Sequence, residues 1–352
     1  MKKKFYTIEL IRFFSSLSVI LYHYKIGFAW DKGYVSSANL SETLPFYEFI
    51  SLFYHYGYYG VQIFFLISGF VFAHIYINRG ELVGAKEFFV NRFARLYPLH
   101  FLTLLIIIFY YLIDQAFIES QFNIERSRFY DFYHFFLNIF FIQSWGFEKG
   151  LSFNAPTWSV SVEIGAYISF FLLLKFLRNY KLFLSISIVS ILFIVYKTSI
   201  INFKYNEYLL LFYIGVFIYQ IPIKNFPKIF LTISILLLLA SFYGRNFKIL
   251  LFSPGVLILA IILDNYISNF KTKNIFSILG GTTYSMYLLH YPIMLIFLLL
   301  ESKFIFFNKF YDNNIFIIFY LLLLIFMSIF SFKYFEHPLN KKIRKLFFPK
   351  KS

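Results

Sequence analysis

Ten stretches of the chain are apolar over a length that can cross a lipid bilayer. A membrane helix needs about 20 apolar residues, and such segments lie near 7–27, 56–78, 96–114, 158–178, 181–197, 205–221, 228–243, 249–266, 280–300 and 314–334. A further run, Phe132–Gln143, is only about 12 residues long, which is typical of a re-entrant or interfacial segment. The pattern predicts an all-α polytopic membrane protein with about ten transmembrane helices.

The first span contains a polar stripe. At about 100° per residue, Arg12 and His23 fall within roughly 20° of one another, and Glu9 lies about 60° from Arg12. Ser16 extends the same face. Because a charge inside a membrane helix costs at least ~2.5–3.5 kcal/mol, the stripe should face protein or a water-filled cavity. Glu9 and Arg12 could instead pair or snorkel at the inner interface, but that interpretation does not explain His23.

The composition supports an integral membrane protein. The chain is 60% hydrophobic and 14% charged, whereas soluble domains are about 45–50% apolar and about 25% charged. The absence of cysteine excludes disulfides, thiolate metal sites and a cysteine acyl-enzyme. The formal net charge of +16 would suit nucleic acid, but no soluble basic domain exists to bind it. The N-terminal MKKK resembles a signal peptide, yet no small-residue cleavage site follows it.

The distribution of Lys and Arg predicts the orientation of the spans. With the N-terminus in the cytoplasm, ten spans place 21 of the 33 Lys and Arg on the inside, 11 on the outside and Arg12 within the membrane, which fits the positive-inside rule. Counting Phe132–Gln143 as a full span would put the basic C-terminus outside. The longest loop, Gln115–Thr157, is then external, and residues 1–352 form one membrane domain with both termini cytoplasmic.

The first inner loop contains an RxxR pair that could bind phosphate. Arg92 and Arg95 lie about 60° apart on a helix, so both guanidinium groups can address one anion. Pro98 is expected to open the third span, where a first helical turn tolerates proline. The alternative is that both arginines are ordinary positive-inside anchors.

The second and fourth spans contain further polar and small residues. In the second, Gly60, Ser68 and Gly69 predict close helix packing, while Gln62 could line a polar path. The fourth begins at Trp158 in the outer interface, and Ser159 and Glu163 share one helix face. An intramembrane Glu163 needs a partner or a proton. It could therefore pair with Arg12, or it could position His23 or an acceptor substrate.

The ninth span and the C-terminal region supply the remaining candidates. Tyr284, Tyr287 and Tyr291 share a face, Pro292 can kink the helix and free backbone carbonyls, and His290 lies near mid-membrane as either a structural or a site residue. Glu336, beside the cationic tail, could anchor the interface or pair with a loop arginine. The other five histidines have no supporting constellation and are assigned to core or interface positions.

In their order along the chain, these residues resemble the acyltransferase-3 family of integral membrane O-acyltransferases. The matching motifs are Glu9, Arg12 and His23; GVQIFFLISGF; Arg92, Arg95, Tyr97 and Pro98; Trp158, Ser159 and Glu163; Tyr284, Tyr287, His290 and Pro292; and Glu336 with Pro338. Two positions depart from the family pattern: Glu9 replaces an aspartate, and Tyr287 is followed by Leu-Leu-His. Many members append a soluble SGNH hydrolase-like domain, which the chain is expected to lack.

The resemblance implies an acyl-CoA donor, most often acetyl-CoA, and a hydroxyl acceptor on a cell-envelope saccharide or lipid-linked sugar. Arg92, Arg95 and Tyr97 would bind the donor at the cytoplasmic face. His23 would act as general base or acyl carrier, with Glu9 or Glu163 orienting it, and no metal is expected. His23 is about 16 Å along the helix from Arg12, so a pantetheine arm, not the nucleotide, would reach it.

The main alternative is a transporter or flippase of lipid-linked saccharide whose path is lined by the charged stripe. Inverted repeats would favour it, and none is visible in the sequence. The expected location is the bacterial cytoplasmic membrane, and no nucleic-acid partner is expected. The acceptor, the acyl chain length, the need for a separate extracytoplasmic transferase and the oligomeric state, a homo-oligomer included, are left open.

Overall fold

The computed structural model describes residues 4–30, 44–117, 128–198, 205–243, 248–267, 269–303 and 310–349. Over these residues the secondary structure is helical and no strand is present. Part of the predicted external loop, and terminal lysines used to predict the orientation, lie outside the described residues.

Twelve α-helices follow one another along the described chain. They are α1 (Tyr6–Trp30), α2 (Tyr47–Tyr56), α3 (Tyr59–Tyr76), α4 (Ala85–Phe117), α5 (Phe132–Ile139), α6 (Trp158–Thr198), α7 (Asn206–Gln220), α8 (Pro227–Tyr243), α9 (Lys248–Leu263), α10 (Phe270–Lys303), α11 (Asn314–Ser331) and α12 (His337–Phe347). Short 3₁₀ turns lie at Ala155–Thr157, Asp264–Tyr266 and Phe310–Asp312, and a π-helical segment, Phe332–Glu336, joins α11 to α12.

Six helical stretches among the described residues are long and apolar enough to cross a membrane, which confirms the all-α membrane class. They are Tyr59–Tyr76, Ala85–Gln115, Ala155–Thr198, Lys248–Tyr266, Lys271–Glu301 and Asn314–Phe347. The predicted fourth and fifth spans both lie in α6, where Lys181 breaks the helix with φ 34° and ψ −111°. The count of ten and the cytoplasmic termini stay predictions.

Two local predictions can be compared directly with the helix boundaries. The run beginning at Phe132 contains an eight-residue helix, too short to cross a bilayer. The expectation that Pro98 opens a helix is wrong, because α4 begins at Ala85 and contains Pro98 in its interior. The polar stretch before Pro98 is helical as well, so Arg92 and Arg95 lie on the same helix as the span that follows.

The described chain forms two compact units, and its organisation as a single domain stays a prediction. The first unit comprises Met1–Ser15, Tyr59–Ala85 and Val162–Gly281, and the second comprises Ser16–Tyr58, Lys86–Ser161 and Thr282–Ser352.

Close helix contacts build the first unit. Helix α3 packs on α7, and α8 packs on α9. A Cβ at Gly69 would overlap the backbone oxygen of Phe212, and one at Gly215 would overlap that of Leu66. Only glycine permits two backbones to approach this closely. The α3–α7 crossing therefore shows the packing role that was predicted for Gly69.

Polar side chains, most of them buried, organise the segments around α5 in the second unit. Asp131 caps α5 by accepting from the backbone N–H of His134, and its carboxylate also lies 2.8 Å from His134 Nδ1. Asn138 donates to Ser152 Oγ at 3.0 Å, and His100 Nε2 lies 2.9 Å from the Asn138 carbonyl. Irregular backbone is thereby satisfied internally, as it must be at or near a membrane.

Candidate functional site

Two histidines predicted in the first and ninth spans contact each other in the second unit. His23 Nδ1 lies 3.0 Å from His290 Nε2, and the two ring planes differ by 17° with centroids 4.9 Å apart. His290 Nδ1 lies 2.6 Å from the carbonyl oxygen of Tyr287, one turn earlier on α10. His290 is completely buried, whereas His23 is half-buried. A continuous hydrogen-bonded chain therefore runs from the α10 backbone to the ring of His23.

The backbone of α10 around His290 is braced by neighbouring side chains. Pro292 has no N–H, so the carbonyl of Leu288, four residues earlier, loses its helical donor. Asn154 Nδ2 donates to that carbonyl at 3.1 Å and to Thr103 Oγ1 at 3.0 Å. Pro292 thus leaves a backbone carbonyl without its helical donor, as expected, and the buried side-chain amide of Asn154 supplies a donor in its place. Sequence reasoning missed this role of Asn154.

The hydroxyl groups of Ser159 and Tyr287 join the start of α6 to α10. They lie 2.7 Å apart, and both reach the carbonyl of Pro156, at 3.1 Å from Ser159 and 2.9 Å from Tyr287. Both side chains are buried. Trp158, the first residue of α6, is half-buried. This cluster fixes the position of α10 one turn before His290.

Glu336 is a buried carboxylate at the end of the π-helical segment. It accepts a short hydrogen bond from Ser285 Oγ and one of 3.0 Å from Ser331 Oγ. The positive charge of Arg95 lies close enough to act on it. π-Helical segments are frequent at functional sites because they reorient a side chain within a helix. Both expectations for Glu336, an interface anchor and a partner of a loop arginine, stay predictions.

The RxxR pair lies on the N-terminal half of α4, next to a cationic cavity. Arg92 is half-buried and Arg95 exposed, and Tyr97 stacks on Phe93 with ring centroids 4.4 Å apart. The cavity measures about 1070 Å³. Its lining comes from α4 and from the C-terminal region that follows Glu336, and comprises Glu87, Asn91, Lys342, Arg344, Lys345, Leu346, Phe348 and Pro349. Three cations against one carboxylate favour an anionic occupant.

The remaining predicted charges lie in the first unit. Arg12 Nη1 is 3.2 Å from Glu9 Oε2, and Lys4 Nζ is 3.6 Å from Glu9 Oε1. Glu163 accepts a hydrogen bond of 2.7 Å from Ser68 Oγ. Glu9 and Arg12 therefore pair, as one interpretation of the sequence expected, and Ser68 has a polar role that sequence reasoning missed.

A buried aspartate caps the helix that carries the polar stripe. Asp264 Oδ1 accepts from the backbone N–H of Tyr6 at 2.6 Å and of Thr7 at 3.3 Å. Thr7 Oγ1 also donates to the Ala260 carbonyl at 2.7 Å. The first N–H groups of a helix need acceptors, but the sequence around Tyr6 does not indicate one more than 250 residues away.

In the described part of the chain, no group of three or more His, Asp or Glu side chains is arranged to bind a metal ion. The arrangement in the second unit instead combines two chemical capacities. Linked imidazoles can accept and return a proton, and a cationic helix end can bind phosphate.

Comparison with known proteins places these residues in context. A model of the acyltransferase domain family Acyl_transf_3 matches residues 5–334. The chain is 25% identical over 332 residues to the peptidoglycan O-acetyltransferase OatA of Listeria monocytogenes, covering 82% of this chain and 49% of that protein. It is 31% identical over 123 residues to the acyltransferase MdmB of Streptomyces mycarofaciens, covering 34% of this chain and 29% of that protein.

The chain thus spans about half the length of the first of these relatives and less of the second. No solved structure matches it.

Proposed function

The chain belongs to the acyltransferase-3 family, and from that premise we propose that it is a membrane O-acyltransferase. It moves an acyl group, in the simplest case acetyl, from acyl-CoA to a hydroxyl of a cell-envelope saccharide or lipid-linked sugar. The observation that carries the proposal is that one compact unit contains both the His23–His290 pair and the cationic end of α4. The similarity to a peptidoglycan O-acetyltransferase supports a saccharide acceptor.

The donor binds through its phosphates. Arg92 and Arg95 are one turn apart on α4. The lining of the cavity beside them includes Asn91, Arg344 and two lysines. Guanidinium groups suit phosphate because each offers paired N–H donors to two oxygens. The excess of Lys and Arg on the predicted inner side supports a cytoplasmic face for this site.

His23 acts on the acceptor hydroxyl. As its ring takes the hydroxyl proton, the alkoxide oxygen attacks the thioester carbonyl, the new C–O bond forms and the C–S bond breaks. The proton then passes from the imidazolium to the departing thiolate, which leaves as the free thiol of CoA. A positioned general base typically contributes 10²–10⁴ in rate. The second route, a transient acyl-His23 that carries the acyl group to the acceptor, also requires this residue.

Glu9, Arg12 and Glu163 belong to the first unit. Their roles in orienting or stabilising the reacting groups stay predictions, to be tested with the same assay.

The test uses purified protein with radiolabelled acetyl-CoA, recording both binding and the slow release of CoA. The variant Arg92→Ala/Arg95→Ala should bind at least about tenfold more weakly, since a hydrogen bond to a charged group is worth roughly 1.5–3 kcal/mol. The matched control, Lys271→Ala/Lys273→Ala, removes two cations of the first unit on the same predicted side and should bind normally.

Each remaining outcome contradicts a defined part of the proposal. Failure of well-folded wild-type protein to bind acetyl-CoA would remove the donor and favour a saccharide transporter or flippase. Full acetyl transfer by a folded His23→Ala protein would refute both the general base and the acyl carrier.

A further inference from the structure

The hydrogen of the buried ring of His290 has only one consistent position when the ring is neutral. Its Nδ1 lies 2.6 Å from the Tyr287 carbonyl oxygen. A carbonyl oxygen only accepts hydrogen bonds, so Nδ1 carries the hydrogen and donates it. In a neutral imidazole the other nitrogen then has a lone pair. His290 Nε2 is therefore an acceptor.

That assignment fixes the state of the neighbouring ring. His23 Nδ1 lies 3.0 Å from His290 Nε2. This separation is within hydrogen-bonding distance, and the ring planes differ by 17°. A hydrogen bond therefore joins the two nitrogens. Because His290 Nε2 accepts, His23 Nδ1 must donate, and His23 Nε2 is the nitrogen with the lone pair.

We infer that His290 is a positioning residue that holds His23 in its Nδ1–H tautomer, so that Nε2 of His23 is the atom that takes the proton of the acceptor hydroxyl. This inference rests on the proposed function. When Nε2 is protonated, Nδ1–H continues to donate to His290, so the hydrogen bond is retained through the proton transfer. No rearrangement of the pair is needed.

The surroundings of His290 suit a group that must keep one orientation. Its own carbonyl accepts from Tyr320 Oη at 3.0 Å. The Leu288 carbonyl two residues earlier accepts from Asn154, and the Tyr287 side chain is fixed by Ser159. Side chains that orient a functional imidazole are effective only when they are themselves held by packing and hydrogen bonds.

Two replacements of His290 separate positioning from packing. In His290→Gln the side-chain carbonyl can still accept from His23 Nδ1, whereas His290→Leu fills a similar volume and accepts nothing. We expect kcat for acetyl transfer to fall about 10²-fold in His290→Leu and to recover at least tenfold in His290→Gln. Acetyl-CoA binding should be unchanged in both. His55→Leu, at an exposed position on α2, serves as the matched histidine control and should retain activity.

Nitrogen NMR of the ¹⁵N-histidine-labelled protein in detergent provides a readout that loss of packing would not mimic. The His23 signals, identified by their disappearance in His23→Ala, should report a proton on Nδ1 in wild-type protein and a mixture of tautomers in His290→Leu. A proton on Nε2 of His23 in the wild type would overturn the inference even if the variants did not fold.

The two levels of the proposal fail differently. If His23→Ala is inactive and folded His290→Leu keeps kcat within twofold of wild type, only the positioning role is wrong. If folded His23→Ala transfers acetyl normally, the roles proposed for His23 are wrong and the inference about His290 falls with them. Failure of the wild-type protein to bind acetyl-CoA and transfer acetyl would refute the proposed function itself.

Discussion

The pairing of Asn154 with the carbonyl that Pro292 leaves without a donor predicts an unusual rescue. Replacing Asn154 by Ala removes the Nδ2 donor 3.1 Å from the Leu288 oxygen and leaves a buried carbonyl unpaired. In that background, Pro292→Ala restores a backbone N–H at position 292, which can bond to Leu288 as in a regular helix. The second substitution should therefore repair the damage done by the first.

The magnitude follows from the contacts. An unsatisfied buried polar group costs about 1–3 kcal/mol, and interhelical hydrogen bonds in membranes are worth about 0.6–1.7 kcal/mol. Asn154→Ala also loses the bond to Thr103, but the Thr103 hydroxyl still donates to the His100 carbonyl at 3.0 Å. We therefore expect Asn154→Ala to lower the free energy of unfolding by about 1–2 kcal/mol, mostly through Leu288.

A double-mutant cycle measures this coupling. The four proteins, wild type, Asn154→Ala, Pro292→Ala and the double variant, are compared by reversible unfolding in mixed micelles with increasing SDS. The double variant should be more stable than the sum of the single effects predicts, by about 1 kcal/mol. Asn78→Ala, an exposed amide that donates to Tyr219 at 3.0 Å, is the control and should change stability by no more than about 0.5 kcal/mol. Strict additivity would refute the assignment of Asn154 to the freed carbonyl.

Two further predictions concern packing and pH. Gly69→Ala should destabilise the protein by about 1–3 kcal/mol, because its Cβ would overlap the Phe212 backbone. Gly84→Ala is the control, since its Cβ would meet nothing within 4 Å. Equal melting temperatures of the two variants would contradict the α3–α7 crossing. The backbone and side-chain hydrogen bonds from His134 hold the pKa of Asp131 below its usual 3.8. The contribution of Asp131 to folding stability is therefore complete above pH 3.8 and is lost as the pH falls through the lower pKa of the folded state. In that pH range the protection of the Phe132–Ile139 backbone amides against hydrogen exchange should fall in wild-type protein. Asp131→Asn should abolish this acid dependence.

Periodicity and composition determined much of this protein because they are local quantities. A run of apolar residues must form a helix in a bilayer, since no water is present to satisfy its backbone. The sequence therefore predicted the helical membrane class, and six apolar helices among the described residues confirm it. It also predicted the break between the two arms of α6 at residues 178–181, where Lys181 is non-helical. The ordered motifs identified the family that the match over residues 5–334 shows.

Helix boundaries were harder to predict where polar residues continue a helix beyond its apolar core. Pro98 was expected at a helix start because proline is tolerated there, but α4 begins thirteen residues earlier, at Ala85. Tolerance in a first turn does not exclude proline from an interior position when the resulting loss of one hydrogen bond is compensated. The sequence contains no signal that distinguishes the two cases.

Only the tertiary structure decided which polar groups meet. His23 and His290 are 267 positions apart, and the sequence left His290 undecided between a structural and a site residue. Asp264 caps the first helix and Asn154 serves a carbonyl on α10, and neither pairing leaves a trace in local sequence. A hydrogen bond is fixed by distances of about 3 Å, whereas periodicity specifies only the face of a helix on which a residue lies. Only the packing of particular helix faces against one another in the folded protein brings two polar groups to hydrogen-bonding distance.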